Sequence, residues 1–504
     1  MESIKSGRIA YVALIAVALA LISFVVRPNA EFNEDLGRHI KLGEIISETR
    51  AVPDTNLFTY TNQDFPFVNH HWLSEVIYFS LYARFGAEGL EILAILLLFS
   101  AFFIVSFLAI KKSSLLPALV SILFFIPLIG DRIKVRPETF GYFLFALLIA
   151  LLFFKKTKWA LWTIPLLVLL WVNLHITFAF AGILISTFLF REYMTRKEEK
   201  KSAKKLFLFA GFCIIALFVN PNGWKGALAP LSIFENYGYR IVENQNLFFL
   251  IPRLFNWIYI YDLVAVGIFF VFFLWWYIDS RKHNTTDWNI FSLGLVTLIS
   301  GMGGIAMVKN IPFFVLSGIP TLALILRDIR VGEKIKKIFT EENKTFFAFL
   351  CMIMLLWFPF LFLKAGKIRM KTYESGKPAV DFFIRENIPG NIFNNFDIGG
   401  YLDYRLYPTY KTFIDNRPEA FPKEFFDEYI SIQENKEVRE IMFKKYNIQS
   451  IIFSHGDLTP WAQEFLGQMI RDKNWKAVYF DDYAVIFTKK EFPLKEIQIL
   501  STPI

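Results

Sequence analysis

Long apolar runs alternate with short polar segments along the first 364 positions, the pattern of a chain that crosses a membrane many times. The runs predict spanning helices over 9–26, 88–110, 114–130, 138–154, 159–173, 176–190, 206–219, 259–278, 289–307, 311–326 and 345–364. Beyond Lys364 the pattern changes. Short apolar runs at Asn391–Asn394, Thr412–Asp415, Ser450–Phe453, Ala477–Phe480 and Ala484–Thr488 read as strands, with helical stretches over 423–446 and 460–473 between them. Gly399-Gly400-Tyr401-Leu402 reads as a turn into a short helix, its glycines allowing close backbone approach. The expected fold class is an all-α polytopic membrane domain of about 11 transmembrane helices over 1–364, with a C-terminal extracytoplasmic α/β domain over 365–504 that has its own core.

One polar stretch breaks the early apolar pattern. Residues 31–75 lie in the first external loop, 27–87, and carry three of the six histidines, His39, His70 and His71. Acids stand beside them at Glu31, Glu34, Asp35, Asp54, Asp64 and Glu75. Asp35 and His39 are four apart in a segment of helical pattern, so both can face one side. A solvated connector is the plain alternative for any charged loop.

Composition agrees with a membrane protein: 55% of residues are hydrophobic, and the mean hydropathy is +0.42. The net charge of +9 acquires a topological meaning. With the N-terminus inside, cytoplasmic segments carry 22 Lys and Arg residues against 12 in the external loops. This bias puts the N-terminus in the cytoplasm and the C-terminal domain outside. The basic run 196–205 then faces anionic lipid, and no nucleic-acid partner is expected. The first run follows Lys5 and Arg8 and is followed by Arg27-Pro28-Asn29 with no small-residue cleavage site, so it reads as an uncleaved span. Cys213 and Cys351 both fall in apolar spans and form no metal spacing.

On this topology the outer side collects titratable groups. The first loop supplies Asp35, His39, His70, His71 and Glu75. Other external segments supply Asp131, Arg132, Lys134, Arg136 and Glu138, then Asn173 and His175, then Asn220, Asn222, Glu243 and Arg253, and finally Lys309 and Asn310. A carboxylate can take a proton from an acceptor, and cations can stabilise a phosphate leaving group. Asp35 is the expected catalytic base. His39, His70, His71, Glu75, Arg136, His175 and Lys309 are expected to bind substrate. Several have ordinary structural alternatives: a surface carboxylate for Asp35, an interfacial belt for His70-His71-Trp72, and snorkelling or topology residues for Arg136 and Lys309. Asp and His side chains are competent metal ligands, but no compact motif such as HExxH is present, and the question of a divalent metal stays open.

The pieces Asp35-Leu36-Gly37-Arg38-His39, Pro53-Asp54-Thr55-Asn56-Leu57-Phe58 and His70-His71-Trp72-Leu73-Ser74-Glu75 resemble the first loop of GT-C glycosyltransferases. These include protein O-mannosyltransferases, the oligosaccharyltransferase catalytic subunit and lipid A aminoarabinose transferases. Arg136-Pro137, Asn173-Leu174-His175, Asn220-Pro221-Asn222-Gly223, Lys309-Asn310-Ile311-Pro312 and Phe413-Ile414-Asp415-Asn416-Arg417 resemble later pieces of a bacterial GT-C-like group. Gly37-Arg38 departs from the expected aromatic pair, and Lys309 stands where an Arg is usual. The resemblance implies inverting transfer of a sugar from a polyprenyl-phosphate donor, at the outer face of the cell membrane, to a glycan, lipid or protein acceptor. Membrane lipids would be the other partners. A lipid-linked glycan transporter or a non-catalytic envelope assembly factor is the alternative; either calls for polar residues spread through the spans.

Overall fold

The computed structural model describes residues 2–26, 30–130, 133–154, 158–195, 200–232, 239, 241–254, 256–330, 341–364 and 373–498. The chain forms two compact units. One, the helical unit, comprises Met1–Asn29, Glu91–Asn220 and Arg240–Lys371. The other, the polar unit, comprises Ala30–Leu90, Pro221–Tyr239 and Thr372–Ile504. The sequence reading divides the chain at 364/365; this division by contacts cuts it at other places. The first loop groups with the tail, together with a third short segment, because its polar and aromatic side chains find their partners there.

Among the described residues, six helices are long and apolar enough to cross a membrane: Trp72–Lys112, Ile176–Thr195, Trp257–Lys282, Trp288–Ala306, Val308–Asp328 and Asn343–Leu361. A bent pair, Lys205–Phe218 and Gly223–Leu231, makes a seventh if counted as one span. Four shorter apolar helices, Ile9–Val25, Leu115–Ile129, Glu138–Phe154 and Trp162–Leu174, coincide with the remaining runs read from the sequence. The protein is a multi-pass membrane protein.

Within the helical unit, Val308–Asp328 is the most enclosed span, 89% buried. It packs against Trp288–Ala306 and Leu115–Phe125. Phe313 stacks on Phe180 with ring centroids 4.0 Å apart. Helix ends are satisfied locally: Asn256 accepts from Ile258 N, and Asp287 accepts from Asn289 N. Polar side chains inside the spans do the same. Ser317 donates to Phe313 O at 2.8 Å, and Thr297 donates to Leu293 O at 2.9 Å.

The polar unit holds a four-stranded sheet in the order β1-β2-β4-β3, where β1 is Ile392–Asn394, β2 Ser450–Ser454, β3 Trp475–Phe480 and β4 Ala484–Lys489. β1 and β2 are parallel; β2/β4 and β3/β4 are antiparallel. All residues of β1 and β2 are buried, which is why both read as short continuous apolar runs. Helices Lys377–Arg385, Phe396–Leu406, Lys423–Glu434, Lys436–Lys445 and Pro460–Met469 complete the unit.

Two expectations for the tail are corrected. Residues 412–415 are not a strand of the sheet. Thr412 instead bridges Thr59, with Tyr60 N donating to Thr412 O and Thr412 N donating to Phe58 O, both at 3.1 Å. A backbone that would otherwise pair with the sheet pairs with the first loop. The Gly399–Leu402 stretch is not a turn but the middle of helix Phe396–Leu406. Its close-approach role holds: a Cβ on Gly399 would lie 2.4 Å from Ile414 O.

Candidate functional site

The histidine-rich loop folds into two helical pieces. Phe32–Leu36 is a single wide π turn that runs directly into helix Gly37–Thr49. Helix Trp72–Lys112 begins one residue after His71. The two helices meet closely at Gly43, where a Cβ would fall 2.0 Å from Glu75 O. Only glycine permits this approach, and it brings His39 and Glu75 together across 36 residues of sequence.

His39 Nδ1 lies 2.9 Å from Glu75 Oε1, and both side chains are buried. Asn69 donates to Glu75 Oε2 at 2.6 Å and accepts from His71 N at 3.0 Å. Asn222, from the short middle segment of the unit, donates to Asn69 O at 3.3 Å. The carboxylate of Glu75 is thus held on both oxygens, and it fixes the orientation of the His39 ring. His71 packs edge-on to His39 with centroids 5.2 Å apart, and His70 lies 4.1 Å from His71. Three imidazoles stand in a row. Among the described residues no group of three or more His, Cys, Asp or Glu side chains is placed to hold a metal ion.

Asp35 sits at the end of the π turn with its side chain 29% exposed, and Arg38 Nη2 is 3.6 Å from its Oδ1. Arg38 is itself buried and donates from Nε to Asn416 Oδ1 at 3.0 Å. The next residue, Arg417, anchors a second network. Its Nε and Nη2 grip Asp415, and Nη2 also donates to Asn56 at 2.7 Å. The guanidinium lies between the rings of Phe58 and Phe67, 4.9 and 4.8 Å from their centroids. Asp403 is buried beside this pair and accepts from Thr412 Oγ1 at 2.8 Å. Burial and the nearby charge of Asp415 hold its carboxyl well above the usual range, against the opposing pull of Arg417.

The structure therefore brings His39, Glu75, His71 and His70 together, with Asp35 tied to Arg38. The other three expected substrate residues belong to the helical unit. Arg136 is ion-paired with Glu243. His175 caps a short turn, with Nδ1 2.8 Å from Thr177 Oγ1. Lys309 lies in the turn before Ile311–Asp328, and its backbone carbonyl accepts from Tyr142 OH at 3.2 Å. Asp131 and Arg132 lie outside the described residues. Arg38, Asn69, Asn56 and Asp403 were not singled out by sequence reasoning as site residues. Each is a polar residue in a segment of otherwise ordinary pattern, and its partner is distant in sequence.

No protein-family model matches the chain, and no curated protein matches it. Solved structures do. The oligosaccharyltransferase of Archaeoglobus fulgidus, in a complex with Zn and sulfate, matches with a TM-score of 0.57 at 12% identity, covering 94% of this chain and 72% of its own. The same organism's enzyme AglB, with an inhibitory peptide and a dolichol-phosphate, matches with a TM-score of 0.56 at 12% identity, covering 96% and 75%. ArnT from Cupriavidus metallidurans, bound to undecaprenyl phosphate, matches with a TM-score of 0.54 at 10% identity, covering 96% and 98%. The chain has the fold of the GT-C membrane glycosyltransferases.

Proposed function

With the GT-C fold as the premise, we propose that this protein is a membrane glycosyltransferase that takes a sugar from a polyprenyl-phosphate-linked donor and delivers it to an acceptor at the outer face of the membrane. Solved structures of the same fold contain dolichol phosphate and undecaprenyl phosphate, which supports a lipid-phosphate donor. Asp35 is the general base. It removes the proton of the acceptor hydroxyl or amine as that group attacks the anomeric carbon. The bond from that carbon to the phosphate oxygen breaks, the lipid phosphate keeps the electron pair, and the sugar carbon inverts. His39, His70, His71 and Glu75 shape the donor or acceptor site. Arg136, His175 and Lys309 complete the proposed substrate set.

The observation that carries the reading is Asp35 itself: a partly exposed carboxylate on a π turn, beside a buried guanidinium. Asp35→Asn keeps the size and loses the proton acceptor. Sugar transfer in membranes should fall roughly 10²–10⁴-fold at matched protein level. Asp35→Glu should retain part of the activity, and Asp54→Asn, a change at an exposed position, should be neutral. An Asp35→Asn variant as active as the parent removes Asp35 from the mechanism.

The transporter alternative draws on one observation. Asp262 lies in span Trp257–Lys282, fully buried, and neither carboxylate oxygen has a hydrogen-bond partner among the described residues. A carboxyl inside a span is characteristic of transport paths. Movement of a lipid-linked glycan across vesicles without sugar transfer would favour that reading.

A further inference from the structure

The short helix Gly223–Ser232 is inside out by the standard of a soluble surface helix. Its buried side carries small residues, Gly226 and Ala229. Its exposed side carries large apolar ones: Trp224 is 63% exposed, Leu228 49% and Leu231 68%. At about 100° per residue, positions 224, 228 and 231 fall in one stripe about 60° wide. Lys225, also exposed, lies at the rim of that stripe. Single exposed apolar residues are ordinary, but three aligned on a helix of 10 residues form a patch that calls for a partner.

The chain itself limits what can cover the stripe. The preceding helix, Lys200–Phe218, exposes Phe212, Ile215 and Phe218 toward its end. An apolar helix end that exposes such side chains faces lipid. Only residues 219–222 separate it from Gly223, so the short helix starts no more than about 18 Å from Phe218. A helix tethered that closely stays at the bilayer boundary. Tryptophan settles at headgroup level, and a lysine at the rim of an apolar stripe reaches outward to the phosphates. At its start the helix also meets the histidine loop. Asn222 O accepts from Gly226 N at 3.4 Å, and the Asn222 side chain donates to Asn69 O at 3.3 Å.

We propose that Gly223–Ser232 is an interfacial helix that docks on the lipid surface by the stripe Trp224, Leu228 and Leu231. The stripe lies roughly 5–10 Å into the boundary between headgroups and acyl chains. With one lysine against three large apolar side chains, burial of apolar surface supplies the attraction, and no anionic lipid is required. Such docking goes beyond the reaction proposed for the first loop and does not depend on it.

Spin labelling of the full chain in phosphatidylcholine nanodiscs tests this. Cys213→Ser and Cys351→Ser remove the native thiols. One nitroxide at a time is then placed at position 225, 228 or 231, or at position 490, an exposed site that serves as the aqueous reference. Access of oxygen, which concentrates among acyl chains, is compared with access of a water-soluble nickel chelate. Labels at 228 and 231 should meet oxygen in preference to nickel, the label at 225 should be intermediate, and the label at 490 should meet nickel. The double variant Trp224→Glu, Leu228→Glu alters only exposed side chains. It should melt like the parent and move the label at 231 toward water. Labels at 228 and 231 as open to nickel as the one at 490 overturn the proposal, because the face then lies in water. Shielding from both reagents overturns it in favour of a protein partner or a second copy. A label at 225 as deep as those at 228 and 231 overturns it as well, and makes the helix half of a broken span. A label at 231 that stays deep in the double variant takes the docking away from the stripe and gives it to the preceding helix.

Discussion

Particular buried polar groups of the two units find their partners at different distances along the chain. In the helical unit, Ser317, Thr297 and Thr187 each donate to a carbonyl of their own helix, four residues back. For Ser317 and Thr187 the hydrogen bonds close within the helix, whereas Thr297 also reaches Thr321 Oγ1 on the next span at 3.2 Å and Ser121 donates to Ile319 O at 2.7 Å. In the polar unit the partners are remote. Arg417 meets Asn56 across 361 positions, Arg38 meets Asn416 across 378, and His39 meets Glu75 across 36. A bond closed within one helix specifies no neighbour. Remote satisfaction produces one specific arrangement of charges, the kind that a reaction needs.

The contrast is broken most severely at Arg417. Arg417→Ala leaves Asp415 buried with no countercharge, and the loss should be roughly 3–5 kcal/mol. The expected outcome is a protein that fails to accumulate, or melts far earlier, as measured by yield and differential scanning fluorimetry. Arg417→Lys should rescue little, because an ammonium cannot serve Asp415 and Asn56 in the same planar geometry.

Asp403 gives a smaller effect with a distinct pH signature. Its carboxyl is raised in the folded state by burial, so folding favours its protonated form. The stability it contributes is present in full below the ordinary carboxylate range and is lost as pH rises toward its elevated folded value. Asp403→Asn keeps the bond from Thr412 and cannot ionise. The melting temperature of this variant should exceed that of the parent increasingly as pH rises from about 4 to 8, with the two converging at the acid end. A constant difference across that range would mean that Asp403 does not titrate with folding.

The smallest effect belongs to the helical unit. Ser317→Ala removes one donor whose acceptor, Phe313 O, lies on the same helix. The change in stability should be no more than about 1 kcal/mol, measured by the same melt. A loss as large as that of Arg417→Ala would erase the distinction between the units.

The same difference explains what could be read in the chain. Spans are recorded locally, as runs of apolar residues, so every run maps to an apolar helix. β1, β2, β3 and β4 were legible for the same reason: Ile392–Asn394 and Ser450–Ser454 are short buried runs that announce themselves. Thr412–Asp415 carries an identical signal, yet it bridges Thr59, and no local pattern distinguishes one partner from another. At the site, the helical spacing of Asp35 and His39 was visible. Gly43 facing Glu75 and Arg38 facing Asn416 were not, because proximity between distant segments is a property of packing and leaves no periodic trace.

The polar unit is assembled from three segments, the first ending at Leu90 and the last beginning at Thr372. A ribosome adding 5–20 residues each second needs on the order of tens of seconds to pass from the first to the residues around Arg417. During that interval Asn56, Phe58 and Phe67 have been made, while the guanidinium they enclose does not yet exist. The loop must wait, exposed, while most of the spans are inserted. Its order of synthesis makes this loop a natural client for a chaperone and an early target for a protease, and chain-terminating lesions late in the gene should be read out as degradation of the beginning of the protein.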